Sequence, residues 1–167
     1  ILRRPSPGET LGGGMVVEIE VFDSDIDKRS LIGPSQRVVR LAETMCPRWD
    51  NFAIQVDSSH IPLLLESNEE HILPIIKHIR HVHMGNAVMR DKASPAYGDN
   101  QPRFGYPGGE NDTAELAAYL RVLLNSGFLN KQERPLVSFE VKPQVGEDPD
   151  LVLANAKRTL REAWLHV

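Results

Sequence analysis

Apolar and polar positions alternate along four short stretches of the chain, and this pattern predicts four β-strands. In the first stretch, Val17, Ile19 and Val21 are apolar, whereas Glu18 and Glu20 lie between them. Because successive side chains of a strand point to opposite faces of a sheet, each predicted strand has one apolar face and one polar face. The four stretches are MVVEIEVF (15–22), FAIQVDSS (52–59), HVHMGN (81–86) and LVSFEVKP (136–143).

Helical segments alternate with these strands. Two of them begin with a capping box, formed by Ser67 with Glu70 and by Asp112 with Glu115, and the last begins at Asp148 before a proline. Strands that alternate with helices are typical of a parallel sheet with right-handed crossovers. The predicted helices cover residues 34–46, 68–79, 112–125 and 148 to about 164.

The polar strand faces favour a barrel over an open sheet. An open doubly wound sheet carries helices on both faces, so both faces of its strands would be apolar. A barrel carries helices only on its outside, and its interior is polar near the mouth. The sequence therefore predicts an α/β fold of the TIM-barrel type with four βα units over residues 15–167. The Pro- and Gly-rich residues 1–14 are expected to form a flexible segment.

An inward-facing residue near the C-terminal end of each predicted strand carries a metal-binding group. By parity these residues are Glu20, Asp57, His83 and Glu140. Three carboxylates that converge in a partly buried place would repel one another without a cation. Three oxygens and one imidazole suit a fairly hard divalent ion, so we predict Mn²⁺, with Mg²⁺, Co²⁺ and Zn²⁺ as alternatives.

The composition of the chain disfavours nucleic acids and membranes as binding partners. Of the 167 residues, 41% are hydrophobic and 25% are charged, which is ordinary for one globular domain. A net charge of −4 disfavours a nucleic-acid partner, and no apolar run is long enough to cross a membrane. The single cysteine, Cys46, cannot form an internal disulfide, so a cytoplasmic protein is expected.

Five motifs, in this order, resemble the xylose-isomerase-like barrel family of sugar isomerases and epimerases. They are EVFDSDIDK, VDSSHIP, HVHMGN, YGDNQPRFG and VSFEVKP. The resemblance covers residues 15–167 and matches the C-terminal half of the family's eight-unit barrel. It implies that Glu20, Asp57, His83 and Glu140 bind the metal.

The resemblance also implies an activity in carbohydrate metabolism. The family's metal chelates a carbonyl and a neighbouring hydroxyl of a sugar and stabilises an enediolate. Glu20 and Glu140 would then be the catalytic acid and base that move a proton between carbons or faces of the substrate. His60, three residues after Asp57, would bind a substrate hydroxyl.

The stretch 87–111 departs from the family. Met89 stands where the family's ketose epimerases have an arginine. The stretch has no predicted helix or strand, and loops of this length are usually functional or disordered, so we expect a lid or substrate-selecting loop. Arg103 in this loop and Lys142, which points inward by parity, are predicted substrate contacts.

The remaining histidines are expected to have structural roles. His81 lies deeper than His83 on the same face and would support the ligands, at the same depth as Glu18, Gln55 and Ser138. His71 and His78 fall on a predicted helix and are expected at its surface.

Two other functions stay open at this point. The same chemistry on a 3-oxo-glycoside would expel a leaving group, which would make the protein a lyase. Alternatively, a half-barrel could be a binding module without catalysis. A complete barrel takes about 250 residues and eight strands, so we expect either a homo-oligomer or pairing with a missing N-terminal half.

Overall fold

A computed structural model describes residue 2 and residues 15–167. The predicted flexible segment 1–14 therefore lies almost wholly outside the described residues.

Four strands form one sheet in which every neighbouring pair is parallel. The strands follow the chain order β1-β2-β3-β4, with helices between them, so the structure confirms a partial α/β barrel of four βα units. Their register aligns Asp57 with His83, and His83 with Ser138. The strands are β1 (Val17–Glu20), β2 (Phe52–Asp57), β3 (Ile79–Met84) and β4 (Leu136–Phe139).

The helices agree with the sequence pattern except at two places. The helix predicted over 68–79 is a short α-helix followed by a 3₁₀ helix, because Pro74 near the start of that second segment has no N–H to donate. A single helical turn, which the pattern did not predict, begins at His60. The helices are α1 (Ser35–Met45), α2 (His60–Leu63), α3 (Asn68–Ile72), the 3₁₀ helix (Leu73–His78), α4 (Thr113–Asn125) and α5 (Pro149–Trp164).

The apolar strand faces pack under the helices and form the core. Ile54, Val56 and Val82 are completely buried there, beside Val38 of α1 and Leu123 of α4. Burying one such side chain stabilises a fold by about 1.5–3 kcal/mol. This core holds the outer face of the sheet in place and leaves the opposite face to polar side chains.

The capping predictions are confirmed. Ser67 and Glu70 hydrogen-bond each other's backbone N–H at the start of α3. At the start of α4, Glu115 accepts from the backbone N–H of Asp112 at 3.0 Å. Asp148 accepts from the N–H of Asp150 at the start of α5.

His71 is not on the surface, contrary to the sequence prediction. It is 1% exposed, and its Nδ1 lies 2.7 Å from Oε2 of Glu66. Glu66 also accepts from the backbone N–H and the hydroxyl of Ser35. This network joins α3 to the first residue of α1, which explains why a histidine occupies an inward position of the helix.

The stretch 87–111 has no helix or long strand, as predicted, but much of it is buried. Val88, Ala96 and Phe104 are completely inaccessible. Oδ1 of Asn86 accepts from the N–H of Ala87 at 2.9 Å and from that of Asn111 at 2.8 Å, so one side chain ties the two ends of the loop together. These contacts pack the loop against the C-terminal ends of the strands.

Among the described residues, no helix has both the length and the apolar character that a membrane span requires.

Candidate metal and substrate site

The strand ends bring the four predicted ligands together. Glu20 and Asp57 end β1 and β2, His83 is the next-to-last residue of β3, and Glu140 directly follows β4. One ligand atom of each side chain lies within 4.8 Å of the others. Two ligands on opposite sides of a cation with bonds of 2.0 to 2.3 Å would be about 4.0 to 4.6 Å apart. The cluster therefore has nearly the size of a divalent-ion site.

His83 lies at the centre of the cluster. Its Nδ1 lies 2.5 Å from Oε2 of Glu140, 3.6 Å from Oδ2 of Asp57 and 3.7 Å from Oε1 of Glu20. Hydrogen bonding to Asp57, Glu140 and Glu20 raises the pKa of His83 to about 11. This raised pKa favours the protonated imidazole, whose charge offsets part of the negative charge of the three carboxylates.

In the described part of the chain, two buried oxygens of the cluster have only His83 as a hydrogen-bond donor. Apart from the contacts with Nδ1 of His83 at 3.7 Å and 2.5 Å, Oε1 of Glu20 and Oε2 of Glu140 receive no hydrogen bond from any described residue. Buried carboxylate oxygens without donors are costly, so native proteins normally supply a donor or a cation. These oxygens, with Asp57 and the imidazole of His83, are a donor set that fits a divalent cation.

His60 is buried beside this cluster with both ring nitrogens facing acceptors. Nδ1 lies 2.8 Å from the carbonyl oxygen of Val21, and Nε2 lies 3.1 Å from Oδ1 of Asp99. Burial lowers the pKa of His60, but the hydrogen bond with Asp99 and the nearby carboxylates outweigh it and raise the pKa to about 9. Because both N–H groups are engaged by the protein, His60 acts here as a buried counter-charge. Its predicted bond to a substrate hydroxyl stays a prediction.

Asp99 connects His60 to the segment after β1. Its second oxygen, Oδ2, forms an ion pair with Nζ of Lys28 at 3.3 Å. Burial raises the pKa of Asp99, but the hydrogen bonds and positive charges of His60 and Lys28 lower it by more than burial raises it. The pKa of Asp99 therefore lies below its ordinary value. This pair could not be predicted from the sequence, because the two residues lie in loops 71 residues apart and no spacing rule connects them.

The two predicted basic substrate contacts lie in different places. Lys142 lines a cavity of about 500 Å³ together with Glu20, Glu140 and Lys28. Arg103 lines a different cavity, and its Nε donates to Oε1 of Glu147 at 2.9 Å. The position of Lys142 suits a substrate contact, whereas the guanidinium of Arg103 is held by the protein. Both roles stay predictions.

A second polar layer lies beneath the ligands. Nε2 of His81 lies 2.8 Å from the hydroxyl of Ser138, and its Nδ1 lies 3.4 Å from Oε2 of Glu18. The rings of His81 and His83 meet edge-on, with centroids 4.5 Å apart. His81 therefore packs under His83, where it limits the rotation of that ring.

Comparison with known proteins supports the fold. No family model and no curated protein matches the chain. Among solved structures, D-psicose 3-epimerase in the presence of D-fructose matches with a TM-score of 0.56 and 13% identity over 90% of this chain. D-psicose 3-epimerase with D-tagatose from Clostridium cellulolyticum H10 matches with a TM-score of 0.53 and 14% identity over 89% of this chain. The chain spans 48% of the length of each, so it shares the fold of about half of each of these structures.

Proposed function

We propose that this chain belongs to a divalent-metal-dependent isomerase or epimerase of a sugar or sugar derivative. The observation that carries the proposal is the cluster of Glu20, Asp57, His83 and Glu140 at the ends of four parallel strands. Structural similarity to two sugar epimerases supports the choice of substrate class. Barrel enzymes place their catalytic residues at this end of the strands.

The four side chains would hold the cation, for which we propose Mn²⁺. When bound, it would supply Lewis acidity toward a carbonyl and a neighbouring hydroxyl of the substrate. His83 would have to give up its proton from Nδ1, because a metal ligand needs a free lone pair. His60 and Lys28 would remain as fixed positive charges next to the acidic groups.

Glu20 and Glu140 would move the substrate proton. Both line the same cavity, and each has a buried oxygen that faces Nδ1 of His83, at 3.7 Å for Glu20 and 2.5 Å for Glu140. One carboxylate would take the proton from the carbon next to the carbonyl, which leaves an enediolate. The other, present as the carboxylic acid at the start of the step, would deliver its proton to the opposite face or to the neighbouring carbon. Lys142, on the wall of that cavity, would contact a substrate oxygen.

The complete site would need a second half-barrel. In the described part of the chain, β1 and β4 are edge strands, and each has one side without a partner strand. Exposed strand edges promote association. An N-terminal half would pair with both edges and close the barrel, and a second copy of this chain is the alternative. A second copy would also bring a second acidic cluster to the interior, which favours the first arrangement.

Metal analysis followed by product analysis tests the proposal. The chain, alone and within the longest polypeptide that contains it, would be purified, depleted with EDTA and titrated with Mn²⁺ or Co²⁺. We expect binding of one ion per chain and its loss in Glu140→Gln. Ketoses would then be incubated with the loaded protein, and 3-oxo-glycosides in parallel. An epimeric or isomeric sugar supports the proposal, whereas release of an aglycone indicates a lyase. No metal binding would refute the proposal.

A further inference from the structure

Gln101, in the loop between β3 and α4, is buried in a conformation that is rare for its residue type. The residue is 6% exposed and has a φ of +49°. This left-handed region is unfavourable for residues other than glycine, asparagine and aspartate. Such a conformation persists only where the surrounding structure enforces it, and it is common at functional sites.

The side-chain amide of Gln101 faces the acidic groups. Its Nε2 donates to Oγ of Ser59 and to Oδ1 of Asp99, both at 2.9 Å, and lies 3.4 Å from Oδ2 of Asp57. The two neighbouring carboxylates favour the amide nitrogen at this place over the amide oxygen, and Nε2 of His60 lies 3.4 Å from it. Oε1 is then buried without a hydrogen-bond partner among the described residues. A native protein retains such an unsatisfied oxygen where the group has another role.

Gln101 also contacts the segments that carry two further ligands. Its carbonyl oxygen accepts from the N–H of Lys142 at 2.6 Å, two residues after Glu140. Its Oε1 lies over Gly85, where an added Cβ would come within 2.3 Å of that oxygen. With the approach of Nε2 to Asp57, one loop residue thus touches the ends of β2, β3 and β4.

We propose that Gln101 is a positioning residue that holds Asp57 and the ends of β3 and β4 at the separation that metal binding needs. Oδ1 of Asp57 already accepts from the N–H of Ser59 at 2.7 Å. The two hydrogens of Nε2 point to Ser59 and Asp99, so Gln101 limits the position of Oδ2 by packing against it at 3.4 Å. Without Gln101, the carboxylate would turn about its remaining bond. The inference rests on the proposed metal-binding function and assigns to it a residue that does not itself bind the ion.

The test compares Gln101→Gly with the matched control Arg134→Gly. Arg134 has a φ of +50° and an exposed side chain, so both substitutions relieve the same kind of backbone strain. The readouts are the dissociation constant for Co²⁺ alone and the thermal midpoint in EDTA. We expect Gln101→Gly to bind Co²⁺ at least tenfold more weakly than Arg134→Gly, and to unfold about 2–4 °C below it because the hydrogen bond to Ser59 is lost. Parent-like Co²⁺ affinity in Gln101→Gly would overturn the proposal.

A metal-free readout separates this proposal from the proposed function. Hydrogen exchange of the Ser59 N–H reports the position of Asp57 and is expected to be at least tenfold faster in Gln101→Gly than in Arg134→Gly. If the parent chain binds no Co²⁺, the proposed function fails, and hydrogen exchange of Ser59 alone tests the role of Gln101. Unchanged exchange in Gln101→Gly would then refute the positioning role of Gln101. Should Gln101→Gly not fold, Gln101→Asn, which tolerates a positive φ and has a shorter amide arm, is expected to give smaller changes in the same direction.

Discussion

Replacing Gly85 by alanine is expected to damage both the stability of the fold and the candidate metal site. Gly85 directly follows β3, and a Cβ at this position would lie 2.3 Å from Oε1 of Gln101. It would also lie 2.9 Å from the carbonyl oxygen of Glu140 and 3.0 Å from Oδ1 of Asp57. The φ of Gly85 is outside the left-handed region. Steric overlap with these three oxygens is therefore the cause of the expected damage.

The size of the effect follows from the number of groups that must move. Relieving such overlap in a packed region costs about 1–3 kcal/mol. Moving Gln101 would also weaken its hydrogen bond to Ser59, which adds about 1 kcal/mol. The free energy of unfolding should thus fall by about 2–4 kcal/mol. In a chain of this size, each kcal/mol of lost stability lowers Tm by about 2–4 °C, so the expected loss lowers Tm by about 4–16 °C.

Thermal unfolding followed by circular dichroism would measure this decrease, and calorimetric titration with Co²⁺ would measure affinity. Gly127→Ala is the matched control: Gly127 has a φ of +78°, but an added Cβ meets no atom within 4 Å. The control should lose about 1–2 kcal/mol from backbone strain and keep its Co²⁺ affinity. The steric reasoning is wrong if Gly85→Ala unfolds within 2 °C of the parent and binds Co²⁺ equally well.

Three further changes probe the site and its support. His83→Ala should weaken Co²⁺ binding by about 100-fold or more in calorimetric titrations, since a ligand is lost; parent-like affinity would exclude His83 as a ligand. Burial raises the pKa of Glu66, but its hydrogen bonds with His71 and with the backbone lower it more, so it lies below the ordinary value. Its stabilising effect is therefore complete above about pH 5 and is lost as the pH falls through the folded-state pKa. Urea unfolding should show Glu66→Gln to be about 1–3 kcal/mol less stable at pH 7, with a gap that narrows below pH 4; a gap independent of pH contradicts this. Tyr119→Phe should cost at most about 1 kcal/mol in the same assay, because the hydroxyl makes only a 3.4 Å bond to Val56; a loss above 2 kcal/mol would indicate a stronger role.

The architecture and the grouping of the four candidate ligands could be predicted, because both follow from the alternation of polar and apolar residues along the strands. Parity along a strand determines which face a residue occupies, and the ends of parallel strands lie at one edge. Glu20, Asp57, His83 and Glu140 could therefore be placed together before any coordinates were known. The structure brings their ligand atoms within 4.8 Å of one another.

The supporting residues could not be predicted, because they depend on loop paths. Gln101 and Asp99 lie in a loop without periodicity, and their partners come from segments far away in the chain. The prediction that His71 lies at the surface was wrong because α3 has only about one and a half turns, which is too short for an apolar stripe to show which face is buried. The short turn at His60 was missed because only two residues separate it from β2 and because it contains a proline.

The strand order described above has a consequence for how this chain folds. Each neighbouring pair of strands is parallel, so a long connecting segment must lose conformational entropy before the two strands can form their first contacts. Each strand end contributes one residue to the candidate ligand cluster, so the cluster is complete only after all four strands have paired. Formation of the cluster is therefore a late step in folding. A spectroscopic probe placed in the cluster would follow completion of the sheet and not the earlier collapse of the chain.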